Sequence, residues 1–450
     1  MIAPPDLEPS PELLKMLQRL AQQPWLVAPP VALPDLHLKP RLEAPSSLAT
    51  ATRDVWVLGL TSPSPHCGMA LALTDLDLAF ATPARLDTLF GELAQRLALE
   101  SPHPVDATTL NVALLQGAPG WRDRSANVAW DPVMRTVEGA FSEDELAQYT
   151  PDILSMIPGW LRDMARQVFG LVGRGNHFLE LQVVEEISNP DIAARWGVHE
   201  GQLTWMVHAD SGPLGSILGR LFAHRRKMPR GKRWQEWRVK FPYHLHRTSS
   251  PIRWMERARV FWPGRWVPIP VDSETGNLCR WAMGVASNYA DANREEIWRR
   301  TATALDDVVG AAHLRVLWDA PHNGIWPEEI DGHDCWIHRH NAARVLPGQP
   351  VLIPGSAQTS SYLCIGAANA AAALYSASHG AGYAIQRLSD SLDDGSSTTR
   401  VYGYSTAEVK ELPHVSRDGI DAVVTALAHR EIAQPVARLR PLASLKAQPR

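Results

Sequence analysis

Stretches that read as strands and stretches that read as helices follow one another in this chain without regular alternation, and that pattern constrains the fold more than any other feature. Val55–Leu60, Phe178–Val184, Leu203–His208, Leu314–Trp318 and Val351–Ile353 are short apolar or alternating runs with strand character. Leu86, Leu89, Phe90, Leu93 and Leu97 keep the spacing of an amphipathic helix, and Ala367–Tyr375 and Asp418–Ala428 also read as helices. A regular strand–helix repeat would predict a barrel or a doubly wound sheet. Its absence predicts a mixed α/β (α+β) domain with central β-sheets and surrounding helices. No repeat of fixed period interrupts this reading.

The chain is long enough, at 450 residues, to bury a large core, and its 45% hydrophobic and 20% charged content excludes a disordered or fibrous class. No apolar stretch reaches the ~18 residues that cross a bilayer. The opening MIAPPDLEPSPELL lacks a basic segment followed by an apolar run, as a secretory signal would have. Cys67, Cys279, Cys335 and Cys364 are too few and too scattered for a disulfide framework, so the expected location is the cytoplasm, with no membrane partner. Residues 1–32 read as a helical, proline-rich extension of a main domain over 33–450. Within the extension Ser10-Pro11-Glu12 offers a helix start before Leu13, Leu14, Leu17 and Leu20. The tail from about Gln434, with its prolines and arginines, is expected at the surface.

Chemistry-bearing side chains sit at strand ends and glycine-rich turns. Cys67 lies between His66 and Gly68, and His177 lies in Gly173-Arg174-Gly175-Asn176-His177-Phe178-Leu179-Glu180. His208 ends a strand, His322 precedes Asn323-Gly324, and His379 opens His379-Gly380-Ala381-Gly382. Imidazole with thiolate suits borderline metals such as zinc, manganese, iron or cobalt. Neither a CxxC nor an HExxH spacing is present, and any single histidine at a strand end also reads as a structural hydrogen-bonder. Pro354–Ser361 and His379–Gly382 pack small residues into turns where backbone N–H groups can meet a phosphate. Between residues 220 and 259 there are thirteen Lys/Arg against Glu236 and Glu256, interleaved with Trp234, Trp237, Phe241, Tyr243 and Trp254. That combination fits a single-stranded nucleic-acid surface, while a solvated charged face or a dock for an acidic protein fits the charge alone.

Taken in order, these blocks resemble the RtcB family of RNA-splicing and RNA-repair ligases. The resemblance runs through Pro34-Asp35-Leu36-His37, His66-Cys67-Gly68-Met69, Gly175–Glu180, Met206-Val207-His208 and Asn288–Arg294. It continues through His322-Asn323, Pro350–Ser356, Ser361-Tyr362, His379–Gly382 and Val436–Leu439 to Lys446, covering roughly residues 33–446. It implies a single large RtcB-like domain that uses GTP and Mn2+ to join an RNA 3′-phosphate, or a 2′,3′-cyclic phosphate, to a 5′-hydroxyl. His379 would be the nucleophile, forming a histidine–GMP intermediate. Cys67, His208 and His322 would hold one metal, and Cys67 and His177 would contribute to a second. Asn176, Phe178, Glu180, Asn323, Pro354, Gly355, Ser356, Ala357, Ser361, Gly380, Ala381, Gly382 and Lys446 would surround the nucleotide. The implied partners are RNA bearing those ends and an archease-like activator.

Several positions depart from the family pattern. Ser64 stands where the family usually has an aspartate, and a hydroxyl is a poor replacement for a carboxylate on manganese, with His66 as a possible substitute. The block His208–Pro213 lacks the family's arginine, His338–Ala342 lacks its lysine, Tyr383 ends a block that usually ends in arginine, and Leu38–Glu43 replaces a glycine-rich stretch. These losses bring in two other readings: a guanylyltransferase that marks 3′-phosphate ends without sealing, and a non-catalytic RNA-binding paralogue.

Overall fold

The computed structural model describes residues 2, 7–39, 42–62, 64–97, 104–122, 128–130, 141–149, 152–223, 234, 237, 238, 240, 241, 244, 266–310, 313–389, 397–404, 409–415 and 418–447. The α/β class holds: mixed sheets are packed against helices. The largest sheet runs in the order Pro350–Ile353, Ser361–Gly366, Ala433–Lys446, Phe178–Ile187, Gln202–Ala209, Gly68–Asp77, Leu314–Pro321, Val128–Trp130, with Thr398–Tyr402 and Val409–Pro413 attached to its side. A second sheet of four strands is ordered Val31–His37, Ser46–Thr52, His333–His340, Asn323–Ile330.

Alternation along Phe178–Ile187 divides the large sheet into two faces. Leu179, Leu181 and Val183 pack on Ile297, Trp298 and Leu305 of the helix Glu274–Val309. That helix has 36 residues, about 54 Å at 1.5 Å per residue. The Ser273 side chain accepts from Gly276 N at its start, and Gly310, at φ 85°, ends it. The same helix buries Trp281, Val285 and Tyr289 in a second apolar cluster with Leu110, Leu114, Phe169 and Leu218. Nearer the start of the chain, Ser10 caps the helix Pro11–Ala21 as expected, accepting from Leu13 N, and Leu13 packs with Ala32 and Leu36.

Three local readings are corrected. Val55–Leu60 is only a two-residue strand, Val55–Trp56, followed by the 3-10 turn Leu58–Leu60, because Val57 N donates to the His338 ring at 2.9 Å and draws the chain out of the sheet. Ala367–Tyr375 forms only the 3-10 turn Ala370–Ala373. The buried Arg339 guanidinium takes the Leu374 and Tyr375 carbonyls, and both residues sit at positive φ, which ends helical geometry. The tail is not superficial. Ala433–Lys446 is an interior strand between Ser361–Gly366 and Phe178–Ile187, whose Pro435 and Pro441 lie at register shifts. Its Arg438 and Arg440 reach Glu185 at 3.6 and 3.2 Å.

Candidate active site

The second face of the large sheet sets the site. Strand register aligns Lys446, Phe178, His208 and Met69 in one row, with Ser444, Glu180 and Met206 in the row beside it. A cavity of about 400 Å³ opens over these rows. Its walls come from the Pro354–Ala357 turn, the His379–Tyr383 segment, Asn176 and the Asp35–Lys39 stretch. That volume lies in the range of sites for small organic ligands.

Cys67, His177 and His208 offer donor atoms that all lie within 4.8 Å of one another. Cys67 Sγ is 3.1 Å from His208 Nε2 and 3.5 Å from His177 Nε2. The His322 ring centroid is 5.1 Å from that of His208, and His379 stacks on His322 with centroids 3.9 Å apart. His322 is the single residue between Leu314–Pro321 and Asn323–Ile330, so it sits at the seam of the two sheets, where its N donates to Cys67 O at 2.9 Å. The five residues that the resemblance assigned to metal and nucleophile are therefore brought together.

Burial sets their charge state. It lowers His208 and His322 far below the ordinary imidazole value and takes His379 down to about 3, so all three are neutral and carry free lone pairs. Burial also pushes the Cys67 thiol up, against the weaker opposing pull of Arg294 and Lys39, and a cation bound beside it would favour the thiolate. Nδ1 of His177, His322 and His379 has no hydrogen-bond partner among the described residues. His208 Nδ1, by contrast, lies 3.1 Å from Asn176 O, which orients its Nε2 towards the sulfur. Buried imidazoles with unused nitrogens around a sulfur fit a borderline divalent metal.

A second polar cluster, unpredicted in its role, holds the Cys67 loop. Arg294 donates from Nε to Asp319 at 2.7 Å, from Nη2 to Asp291 at 2.5 Å and from Nη1 to the His66 carbonyl at 3.0 Å. Gly68 is required here, since a Cβ would lie 2.8 Å from the guanidinium. His66 does not substitute for a metal ligand at this centre. At φ 57° its ring is 3.5 Å from Asp291, stacks on Trp326 and lines a different cavity with Trp56 and Arg280.

Of the nucleotide residues, Asn176, Phe178, Glu180, Pro354, Gly355, Ser356, Ala357, Gly380, Ala381, Gly382 and Lys446 line the cavity. Asn323 and Ser361 stand one step behind it. Asn323 Oδ1 accepts from Asn341 N at 2.7 Å, while Ser361 Oγ accepts from Gly355 N at 3.0 Å and from Gln182. Glu180 is pushed up to about 7 by burial, and its Oε1 accepts from Gln182 Nε2 at 2.8 Å. Gly355 has no room for a Cβ, which would meet Ser360 O at 2.2 Å.

Sequence reasoning left Asp35, His37, Lys39 and Tyr383 without roles. Asp35 accepts from Tyr383 N and Ala384 N at 3.0 and 2.9 Å, and His37 stacks on Tyr383 at 4.9 Å, so the first strand pins the turn that follows His379. The stretch that replaces the glycine-rich segment brings Lys39 to the cavity. The signal was the Pro34–His37 block itself, whose partners lie more than 300 residues away. Most of the basic 220–259 segment lies outside the described residues. Among those described, Trp234 and Phe241 are exposed, whereas Lys240 is buried and donates to Ala223 O, and Arg220 donates to Ser216 O.

No helix among the described residues is long and apolar enough to cross a membrane. The family model described as tRNA-splicing ligase RtcB matches residues 16–447. A tRNA-splicing ligase RtcB of Pyrococcus furiosus is 29% identical over 85% of this chain and 40% of its own length. An RNA-splicing ligase RtcB of Mycobacterium bovis is 28% identical over 95% of this chain and 99% of its own. The chain thus spans about two-fifths of the length of the Pyrococcus relative. The order of motifs, the seam that gathers Cys67 with four histidines, and a family match over nearly all residues lead to one statement: this chain belongs to the RtcB family.

Proposed function

We propose that the protein is a GTP- and Mn2+-dependent RNA ligase that joins 3′-phosphate (or 2′,3′-cyclic phosphate) ends to 5′-hydroxyl ends, in RNA repair or tRNA splicing. The observation that carries this reading is the neutral, buried His379 at the inner wall of the cavity, stacked on His322 and with Nδ1 unpartnered among the described residues. A neutral imidazole has a lone pair for attack on phosphorus. His379 attacks the α-phosphorus of GTP, an N–P bond forms, and the bond to pyrophosphate breaks. A cyclic end is first opened by water, which breaks the bond from phosphorus to the 2′-oxygen and leaves a 3′-phosphate. An oxygen of the RNA 3′-phosphate then takes the guanylyl group from His379, and the 5′-hydroxyl displaces GMP. Cys67, His208 and His322 would hold one manganese ion, and Cys67 and His177 would contribute to a second; such ions would neutralise phosphate charge.

The chain's other residues orient the nucleotide. Glu180 suits the N–H edge of guanine, Lys446 and Lys39 suit phosphate or ribose oxygens, and the Pro354–Ala357 and His379–Gly382 turns bring backbone close to it. The basic 220–259 segment supports RNA as the substrate, as do the names of the relatives. The four free cysteines, all buried, accord with a cytoplasmic setting.

Incubation with α-labelled GTP and Mn2+ tests the first step. An acid-labile label on the wild-type chain and none on His379→Ala is the expected result. No label on a wild-type chain shown to carry metal overturns it. A second reading, guanylyl transfer without sealing, draws on His340 and Tyr383 standing where lysine and arginine are usual. Gel analysis of RNA ends separates the two, since sealing yields a joined strand and transfer alone yields only a guanylylated end.

A further inference from the structure

The loop before Cys67 offers the second metal no carboxylate, only Ser64 and a His66 ring that is committed elsewhere. A carboxylate approaches from a different element. Asp210 follows the Gln202–Ala209 strand, two residues after His208, and its Oδ2 lies 3.8 Å from His177 Nε2. That separation is too long for a hydrogen bond, so the two atoms do not satisfy one another. It stays under the ~4.2 Å that two ligands of one divalent ion can span through bonds of about 2.0–2.2 Å. Cys67 Sγ lies 3.5 Å from the same His177 nitrogen, close enough to share an ion with it through a metal–sulfur bond of about 2.3 Å. The other oxygen, Oδ1, accepts from Gly212 N at 2.7 Å and holds the carboxylate in this orientation.

We infer that Asp210 is the carboxylate ligand of a second divalent-cation site formed with Cys67 and His177, sharing the Cys67 sulfur with the site of His208 and His322. The inference rests on reading the histidine cluster as a metal centre, and it adds a ligand from the strand end after His208. The preference follows from donor type: an anionic oxygen suits Mn2+ better than a hydroxyl does.

The test is Mn2+ stoichiometry and affinity on the full-length chain, by equilibrium dialysis with electron paramagnetic resonance of bound ion, alongside circular dichroism melts. Wild type is expected to bind two ions. Asp210→Asn keeps an oxygen to accept from Gly212 N, so the turn survives while the anionic ligand is lost. It is expected to bind one ion tightly and the second more weakly by more than the ~10–100-fold that loss of an outer partner costs. Asp210→Ala should do the same, and His322→Ala should weaken the other ion instead. Two ions bound with unchanged affinity in both Asp210 variants overturn the inference. So does a single wild-type ion that is indifferent to Asp210→Asn but lost in His322→Ala, a result that leaves the first site standing. No ion on the wild type overturns the metal reading itself.

Discussion

The Arg294 network and the Cys67 histidine cluster are both buried and both polar, and they adjoin each other at the His66–Cys67 loop, yet only the first is closed. Each guanidinium nitrogen of Arg294 donates to a partner supplied by the chain, from Asp319, Asp291 or His66. Around Cys67, three imidazole Nδ1 atoms have no partner among the described residues, and burial has stripped the rings of His208, His322 and His379 of charge. A closed network gives the loop its shape, whereas an open one costs stability that only a bound ligand returns. Buried polarity therefore marks function here where it is left incomplete.

Four measurements bear on that contrast. The largest effect is expected from Arg294→Ala, which strips Asp291 and Asp319, both buried, of their hydrogen-bonded cation and leaves them only the weaker charge of Arg122. Urea unfolding should show a loss of about 3–5 kcal/mol, and a loss under ~1 kcal/mol would mean that the network is not what holds the loop. Next comes filling the open cluster. Mn2+ at 100 times its dissociation constant should raise unfolding free energy by about 2.7 kcal/mol in wild type and far less in His208→Ala. Equal stabilisation of both chains would place the ion elsewhere.

Gly68→Ala, third, drives a methyl group into the Arg294 guanidinium at 2.8 Å. A cost of about 1–3 kcal/mol is expected, with Mn2+ binding weakened in parallel because Cys67 moves with the strand. Loss of stability with unaltered metal binding would show that the two clusters are mechanically separate. The mildest change, Glu180→Gln, acts over only part of the pH range. Burial raises the Glu180 carboxyl from 4.5 to about 7. Because the folded value exceeds the unfolded one, the stability it contributes is whole below the unfolded value and is lost as pH rises through the folded one. Wild type and variant should unfold alike near pH 5, and the variant should be the more stable at about pH 8. A difference independent of pH would break the assignment.

Much of this was legible in the sequence. Strands with alternating or apolar runs, such as Phe178–Ile187 and Leu314–Pro321, stand close to where their patterns put them, because both faces of the sheet are covered. Ala433–Lys446 was misread because Pro435, Arg438 and Pro441 look superficial, while the fold places the prolines at register shifts and pairs Arg438 with Glu185 and Ser360. Cys67, His177, His208, His322 and His379 were visible through their glycine-bearing turns. The roles of Asp35, Lys39 and Asp210 were not, since what gives each its place comes from another element: Tyr383 for Asp35, the cavity walls for Lys39 and His177 for Asp210.

The interior position of Ala433–Lys446 has a further consequence, in time. Phe178–Ile187 and Ser361–Gly366 do not pair with each other; each pairs with this strand, which separates them. During synthesis, most of the large sheet emerges without the piece that joins its two parts. The cavity cannot close until residue 446 is available to meet Phe178. Folding of such a topology is governed by contacts between remote segments and is correspondingly slow. The nascent chain holds a row of unpaired strand edges until residues 433–446 have been made, so this is the interval in which it is most exposed to aggregation.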